Sequence, residues 1–378
     1  MPLLDFDGIT KEYGDLIAVN DCSFEVFDGE FVSILGPSGS GKSTMLRMIS
    51  GFESPTEGII KLEAEDMTDV PPFERETNMV FQDLALFPHL TVAENIEYGL
   101  KNKEDLPPDE REAKIEEMLE MVQLGGYADR NPKELSGGEQ QRVALVRALV
   151  NEPAMVLFDE PLASLDRQLR QHMQVELQRI QDKTDTTFLY VTHDQEVAMA
   201  TSDRMILLRD GEIEQIGSAR ELYEDPASQF VANFIGDVNT IPATVRDVSD
   251  SALDLTTHAG DLDVSLSPDM IYDGAAVSAG DLVNVCVRPH NVTLATEKSS
   301  AEFSLRGEVK NRIYKGNDVR YMIDTPVGNL TVDSDTAAFD IDDTVHATWS
   351  RADGHIFASE DTDGTVTEDN QPTLSVEQ

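Results

Sequence analysis

Positive charge is scarce in this chain: 29 Lys+Arg stand against 72 Asp+Glu in 378 residues, a formal net charge of −43. That deficit argues against a nucleic-acid binder, whose footprint is a basic stripe, and against charge-driven docking on anionic lipid. Cysteine is almost absent too. Cys22 and Cys286 lie far apart and suggest no disulfide framework, which leaves two inert thiols. No apolar run approaches the roughly 18 residues that span a bilayer. The opening MPLLDFDGIT has neither the basic start nor the apolar core of a signal peptide. The expectation is therefore a soluble, cytoplasmic chain that reaches a membrane only through a partner. Against these absences stand 40% hydrophobic residues and 24 Gly, ample for a packed core, so wholesale disorder is excluded. The length exceeds what one core usually serves, so two domains are expected. At ordinary ionic strength the acidic surface repels itself, whereas in molar salt the Debye length falls to about 3 Å and the repulsion fades. The composition reads as that of an intracellular protein of an extreme halophile.

Up to about residue 236, β-rich runs alternate with helical stretches. The clearest β-runs are Phe31–Leu35, Asn78–Gln82, Ala154–Phe158 and Thr187–Thr192; helical patterns cover Glu139–Val150 and Arg167–Gln181. This alternation predicts an α/β domain with a largely parallel sheet. Pro107–Gln123 reads as a charged amphipathic helix inserted between sheet elements. Beyond Gly236 short Val/Thr-rich runs alternate with Asp and Gly, as in Leu282–Val287, Val319–Ile323 and Gly328–Val332. They predict a small all-β domain over 237–360. Residues 361–378 lack apolar periodicity and read as a disordered acidic tail.

The strongest chemical signal is Gly36-Pro37-Ser38-Gly39-Ser40-Gly41-Lys42-Ser43-Thr44, which has the spacing of a phosphate loop. Its glycines let backbone N–H groups face phosphate oxygens, and the helix that follows adds its positive N-terminus. Lys42 can reach the β- and γ-phosphates, and the Ser43 hydroxyl can ligate Mg²⁺. Val156-Leu157-Phe158-Asp159-Glu160 puts two carboxylates at the end of an apolar strand. Asp159 suits a hold on Mg²⁺, and Glu160 suits polarising water for attack on the γ-phosphate. Gln82 and His193 also close apolar runs. Gly36, Gln82, Asp159/Glu160 and His193 thus share one edge if the strands are parallel, and ligands bind at that edge. The remaining histidines, His89, His172, His258, His290, His346 and His355, read as structural or surface residues. Leu135-Ser136-Gly137-Gly138-Glu139-Gln140-Gln141-Arg142 opens a long helix as a second anion-facing N-terminus. Two phosphate-facing sites in one chain make sense if the second serves a nucleotide held by another subunit.

Together these motifs resemble the ATP-binding cassette ATPases over residues 3 to about 236. In that resemblance, GPSGSGKST is the phosphate loop, LSGGEQQR the signature, and VLFDE the metal and catalytic strand. Gln82 matches the loop glutamine that touches Mg²⁺ and the transmembrane partner, Ala163-Ser164-Leu165-Asp166 the dimer-contact loop, and Tyr13 the aromatic that stacks on adenine. The fold it implies is a P-loop NTPase cassette of α/β class with a helical subdomain. The cofactors it implies are ATP and Mg²⁺. Its catalytic residues are Lys42, Glu160 and His193, with Ser43, Gln82 and Asp159 at the metal. Nucleotide contacts are expected from Tyr13, Gly36 through Thr44, Gln82, Asp166 and His193. Ser136, Gly137, Gly138 and Glu139 supply the face that a second copy uses.

The all-β segment is similar to the OB-like regulatory domain of importer ATPases. Arg288-Pro289-His290 stands where that domain usually has Arg-Pro-Glu, and Lys315-Gly316-Asn317-Asp318-Val319-Arg320-Tyr321 looks like its second repeat element. Asn78–Gln82, Ala85–His89 and Phe230–Asn239 look most like spermidine/putrescine importer subunits. Iron(III) and thiamine importers share the texture, and the sugar branch usually has Tyr where Phe87 stands. The partners implied are integral-membrane permease subunits, an extracellular solute-binding protein and a second ATPase subunit, in a homodimer at the cytoplasmic side of the membrane. Soluble cassette ATPases of DNA repair or translation usually carry a coiled-coil insertion or two cassettes, and the acidic surface disfavours such partners. Exporters commonly fuse the cassette to a membrane domain. A sensor role for the β-domain is the remaining alternative.

Overall fold

The computed structural model describes residues 1–100, 106–163, 165–249, 253–257, 264–266, 271–272, 277–297, 303–316 and 318–359. The expected disordered tail, Ser164, His258 and Asn317 lie outside the described residues. The chain divides into two compact units, Met1–Pro226 and Ala227–Gln378.

In the first unit the elements run β1 (Leu4–Tyr13), β2 (Leu16–Val26), β3 (Phe31–Leu35), α1 (Lys42–Ile49), β4 (Glu57–Leu62), β5 (Glu65–Asp66), β6 (Thr77–Val80), α2 (Val92–Leu100) and α3 (Pro108–Met121). They continue α4 (Gly137–Leu149), β7 (Met155–Asp159), α5 (Arg167–Thr184), β8 (Thr187–Val191), α6 (Gln195–Thr201), β9 (Arg204–Arg209), β10 (Glu212–Gly217) and α7 (Ala219–Glu224). One sheet has the order β10-β9-β3-β8-β7-β6. Its strands are parallel except β10, which runs antiparallel to β9. Strand β8 (TFLYV) is buried at every position because both faces are covered. Phe158, Phe188 and Tyr190 face the core that includes Val143, Leu145 and Leu177, from α4 and α5. Leu157, Leu189 and Val191, one residue out of phase, face Met45 and Leu46 of α1 and the first hairpin.

That hairpin belongs to an antiparallel sheet, β2-β1-β4-β5, which the sequence pattern did not reveal. In β2 the alternation is clean, with Cys22, Phe24 and Val26 buried and their neighbours exposed. In β1 register shifts after Phe6, Ile9 and Lys11 break the period. Helix α3 forms where the charged amphipathic helix was expected, and it buries only Ile115 and Leu119. The run expected as a strand over Asn78–Gln82 ends at Val80 instead. Leu84 and Ala85 just beyond it take left-handed backbone, with φ of 59° and 43°.

The second unit holds α8 (Gln229–Phe234), then β11 (Asn239–Val248), β12 (Leu253–Thr256), β13 (Val264–Leu266), β14 (Ile271–Tyr272), β15 (Leu282–Val287) and β16 (Thr293–Ala295). The chain continues through β17 (Phe303–Tyr314), β18 (Val319–Thr325), β19 (Gly328–Ser334), β20 (Thr344–Trp349) and β21 (Gly354–Ala358). These strands form sheets of order β13-β12-β11-β15-β21-β14 and β16-β20-β17-β18-β19. Their shared core includes Ile241, Val285, Phe303, Tyr321, Trp349 and Ile356, with Trp349 stacked on Phe303 at 5.1 Å between ring centroids. The unit starts ahead of the change of texture at Gly236 because α8 belongs to it. Arg288 donates to the carbonyls of Ala232, Gly236 and Asp237, and Ala232 packs on Cys286 and Phe357.

Candidate functional site

Strand β3 ends at Leu35, the chain turns through Gly36–Gly41, and α1 begins at Lys42. Only glycine suits the two hinges of this loop. A Cβ on Gly36 would lie 2.4 Å from the Leu208 carbonyl oxygen, and one on Gly41, at φ +100°, 2.4 Å from that of Ala18. The Lys42 ammonium donates to the Gly36 and Pro37 carbonyls, 2.8 Å each. Burial lowers the Lys42 pKa, opposed by the negative charges of Glu160 and Asp159. The Ser40 hydroxyl is buried in the same loop with no hydrogen-bond partner. A cradle closed to side chains, holding a cation and an orphaned hydroxyl, fits an anion of phosphate type.

Parallel pairing brings the neighbouring strand ends to the same edge. Ser43 Oγ donates to Asp159 Oδ1 at 3.3 Å, so the hydroxyl and carboxylate expected at a metal are adjacent. Desolvation raises the Asp159 pKa, against the Ser43 hydrogen bond that lowers it, and the charge of Glu160 raises it further. Glu160 follows at φ +47°, a conformation uncommon for a non-glycine residue. Its N–H donates to the Val191 carbonyl at the end of β8. Its Oε2 lies 2.9 Å from His193 Nδ1. The left-handed turn swings the second carboxylate away from Ser43 and toward β8. Gln82 is exposed two residues past β6, beside the end of β7.

Ser136, Gly137, Gly138 and Glu139 form a second cluster. Ser136 caps α4, and Glu139 Oε2 accepts from the Ser136 N–H and hydroxyl at 2.7 Å each. These bonds hold the Glu139 carboxyl below its usual pKa. Gly138 packs so closely on Leu169 that a Cβ would lie 2.8 Å from it, and Gly137 faces Leu165. Asp166 caps α5 on the same loop, accepting from the Leu169 N–H at 2.9 Å. Tyr13 sits at the end of β1, 44% exposed, with the Lys11 ammonium 4.9 Å from its ring centroid. Its pKa is raised by burial and by a hydrogen bond with Glu53.

Two contacts were not picked out from the sequence. Gln141 Nε2 donates to the Pro161 carbonyl at 2.5 Å, tying α4 to the turn after Glu160. Arg147, also on α4, donates to the Leu84 and Ala85 carbonyls beyond Gln82. The hint for each was a polar side chain on an otherwise apolar helix face. The two thiols are buried, which pushes each pKa up to about 11.

Comparison with known proteins covers both units. The ABC transporter family matches residues 19–163, and the TOBE domain matches 285–357. The chain is 43% identical to the spermidine/putrescine import ATP-binding protein PotA of Thermobifida fusca, covering 92% of each chain. It is 47% identical to the protein of that name from Acidothermus cellulolyticus over 86% of this chain and 84% of the relative. For its namesake in Vibrio cholerae the identity is 42%, over 92% and 90%. Among solved structures, a bacterial ABC transporter cassette in dimeric form is 36% identical, with a TM-score of 0.51, covering 57% of this chain and 98% of that one. An ATP-binding cassette of an ABC transporter gives 28% identity and a TM-score of 0.56, covering 63% and 100%.

Proposed function

Because this chain belongs to the ATP-binding cassette family of transporter ATPases, and is the ATP-hydrolysing subunit of an importer, we propose that it powers uptake of spermidine and putrescine. The observation that carries the substrate is the 43% identity to a spermidine/putrescine import ATPase along 92% of both chains, which spans the β-domain as well as the cassette.

In this reading the loop Gly36–Gly41 and Lys42 hold the β- and γ-phosphates of ATP, with Thr44 just inside α1. Tyr13 supports the adenine. Ser43, Asp159 and Gln82 would hold Mg²⁺. There the ion would supply Lewis-acid neutralisation of phosphate charge. The Lys42 ammonium has three donors and spends two on the Gly36 and Pro37 carbonyls, which aim it along the loop and leave a donor for the phosphates. Glu160 takes a proton from the attacking water, and His193 steadies that carboxylate through the 2.9 Å contact. The left-handed backbone at Glu160 separates the two acids, so that Asp159 faces Ser43 and Glu160 faces the water.

The cluster Ser136-Gly137-Gly138-Glu139, with Asp166, serves the nucleotide of a second copy. Two identical chains thus pair head to tail and close on ATP. Closure and release drive permease subunits in the membrane, fed by an extracellular solute-binding protein, with this chain at the cytoplasmic face. No described helix is long and apolar enough to cross a membrane. The β-domain of the second unit is a regulatory appendage. Reconstitution with its permease in vesicles tests the substrate. ATP turnover should rise when the binding protein is loaded with spermidine or putrescine. Stimulation by iron(III), thiamine or a sugar instead would overturn the assignment.

A further inference from the structure

The loop that leaves Gln82 is held in an unfavourable shape. Leu84 and Ala85 are consecutive non-glycine residues with φ of 59° and 43°. Each such residue carries a conformational cost and persists only where its surroundings enforce it. Ala85 is exposed, so packing of its own side chain does not enforce it. Leu84 packs on the core and its N–H donates to the Phe81 carbonyl at 2.9 Å, while the two carbonyls of the turn are held by Arg147. Its Nη1 donates to the Ala85 carbonyl and its Nη2 to the Leu84 carbonyl, both at 2.7 Å. Arg147 is half-buried, and its guanidinium lies 5.8 Å from the Phe87 ring centroid. Burial lowers the Arg147 pKa, and the charge of Asp83 opposes that shift. Further along, the Phe87 N–H donates to Asn95 Oδ1 at 2.8 Å, which anchors the far end of the loop to α2.

Arg147 sits on α4, the helix that Ser136 caps. One side chain therefore joins the backbone beside Gln82 to the helix that begins at the second cluster. We propose that Arg147 is a positioning residue for ATP hydrolysis: by clamping the left-handed Leu84-Ala85 turn it sets the place of Gln82, and it carries movement of that loop to the Ser136 end of α4. The inference rests on the reading of Gln82 as a site residue.

Glycine offers a specific test, because it adopts left-handed backbone without the steric cost. If Arg147 acts by enforcing the turn, Ala85→Gly should reduce the need for it. The variants are Arg147→Met, which keeps a stem and removes all donors, Arg147→Lys, which keeps the charge but not the fork, and Arg147→Met combined with Ala85→Gly. The first readout is hydrogen exchange of the unliganded protein. Amides of Leu84 and Phe87 should exchange about tenfold faster or more in Arg147→Met, the weight of one charge-assisted hydrogen bond. Arg147→Lys should fall between, and the double variant should return toward wild type, with α4 amides unchanged throughout. The second readout is the Mg²⁺ concentration for half-maximal turnover, which should rise in Arg147→Met and recover in the double variant.

Equal loss of protection along α4, or a double variant worse than Arg147→Met, would make Arg147 a packing residue and overturn the proposal. Arg147→Lys keeps the question open to measurement if Arg147→Met does not fold, since Ala85→Gly should improve it in the same way. Gln82→Ala separates the two readings. If it leaves the Mg²⁺ dependence unchanged, the site assignment of Gln82 fails. If it shifts that dependence while Arg147→Met and Arg147→Lys do not, the clamp fails alone.

Discussion

Glu160→Gln is the substitution on which the proposed mechanism is most exposed. The amide has the shape of the carboxylate and can still bond to His193 Nδ1, now 2.9 Å from Oε2, so the imidazole should stay in place. What disappears is one negative charge and the capacity to take a proton. Loss of a positioned base costs roughly 10²- to 10⁴-fold in turnover, and 10² corresponds to about 2.7 kcal/mol of barrier. Binding should move the other way. Glu160 is one of two acids whose charges raise the Lys42 pKa, and in the proposed site it lies toward the γ-phosphate. Removing its charge relieves repulsion worth about 1 kcal/mol for charges about 4 Å apart at water-like screening. In molar KCl the gain is smaller. ATP affinity should therefore be unchanged or a few-fold tighter. With hydrolysis blocked, a nucleotide shared between one copy's phosphate loop and the other's Ser136-Gly137-Gly138 should trap the dimer. Phosphate release, ATP binding and light scattering, all in multimolar KCl, check the three parts. Turnover within tenfold of wild type would refute the role of Glu160. A dimer equally present without ATP, or still present after adding Ser136→Arg, would refute the shared nucleotide.

Gly41→Ala should lower the melting temperature and abolish ATP binding, because the left-handed backbone costs roughly 1–2 kcal/mol and the new Cβ would meet the Ala18 carbonyl at 2.4 Å; calorimetry and nucleotide titration check both. In the β-domain, Arg320 donates to both Asp333 oxygens, at 2.7 and 2.6 Å, and holds that carboxyl below its ordinary 3.8. A depressed carboxylate stabilises the fold above its unfolded pKa and loses that contribution as pH falls through the folded one. The gap in melting temperature between wild type and Asp333→Asn should thus be full near neutrality and narrow below 3.8. Raising KCl from about 0.1 M to molar shortens the Debye length from about 10 Å to about 3 Å, so a chain of charge −43 should melt at higher temperature; equal melting temperatures would sink the halophilic reading.

What could be read in the sequence follows from where the information sits. The turn between β3 and α1 was legible because its pattern is local: Gly36 to Ser43 are consecutive, and the loop closes on its own carbonyls through Lys42. Strands β3, β7 and β8 were legible as short apolar runs, since a parallel sheet covered on both faces leaves little for polar residues to do. The sheet containing β1 was not, because its bulges interrupt the two-residue period that marks a half-buried strand. Helix α8 read as the end of the first domain; in the structure it falls in the second unit, where Arg288 reaches the Ala232 carbonyl and Ala232 packs on Cys286 and Phe357. Arg147 and Gln141 were missed for a different reason. Their acceptors are backbone carbonyls 62 and 20 residues away in the chain, and a carbonyl has no sequence signature.

Several cations of this acidic chain bond, like Arg147, to backbone carbonyls. Arg75 donates to the Val70, Met48 and Ile49 carbonyls, Arg147 to those of Leu84 and Ala85, Arg288 to those of Ala232, Gly236 and Asp237, and Lys42 to those of Gly36 and Pro37. None of these bonds is to a carboxylate. Surface ion pairs such as Arg220–Glu224 contribute little at any salt and less when screened. Lys42, Arg75 and Arg288 are buried and Arg147 is half-buried; a cation held on a carbonyl dipole away from bulk water is short-ranged, so molar salt weakens it less than an exposed ion pair. Removing the cation leaves carbonyls without their donors, at the cost of an unsatisfied buried group. The same salt that quiets repulsion between surface carboxylates therefore spares the braces of the phosphate loop, the Gln82 loop and the β-domain junction at α8. On this argument, salt tolerance of the site follows from the choice of backbone acceptors for the buried cations, and the acidic surface matters for solubility and self-repulsion rather than for catalysis.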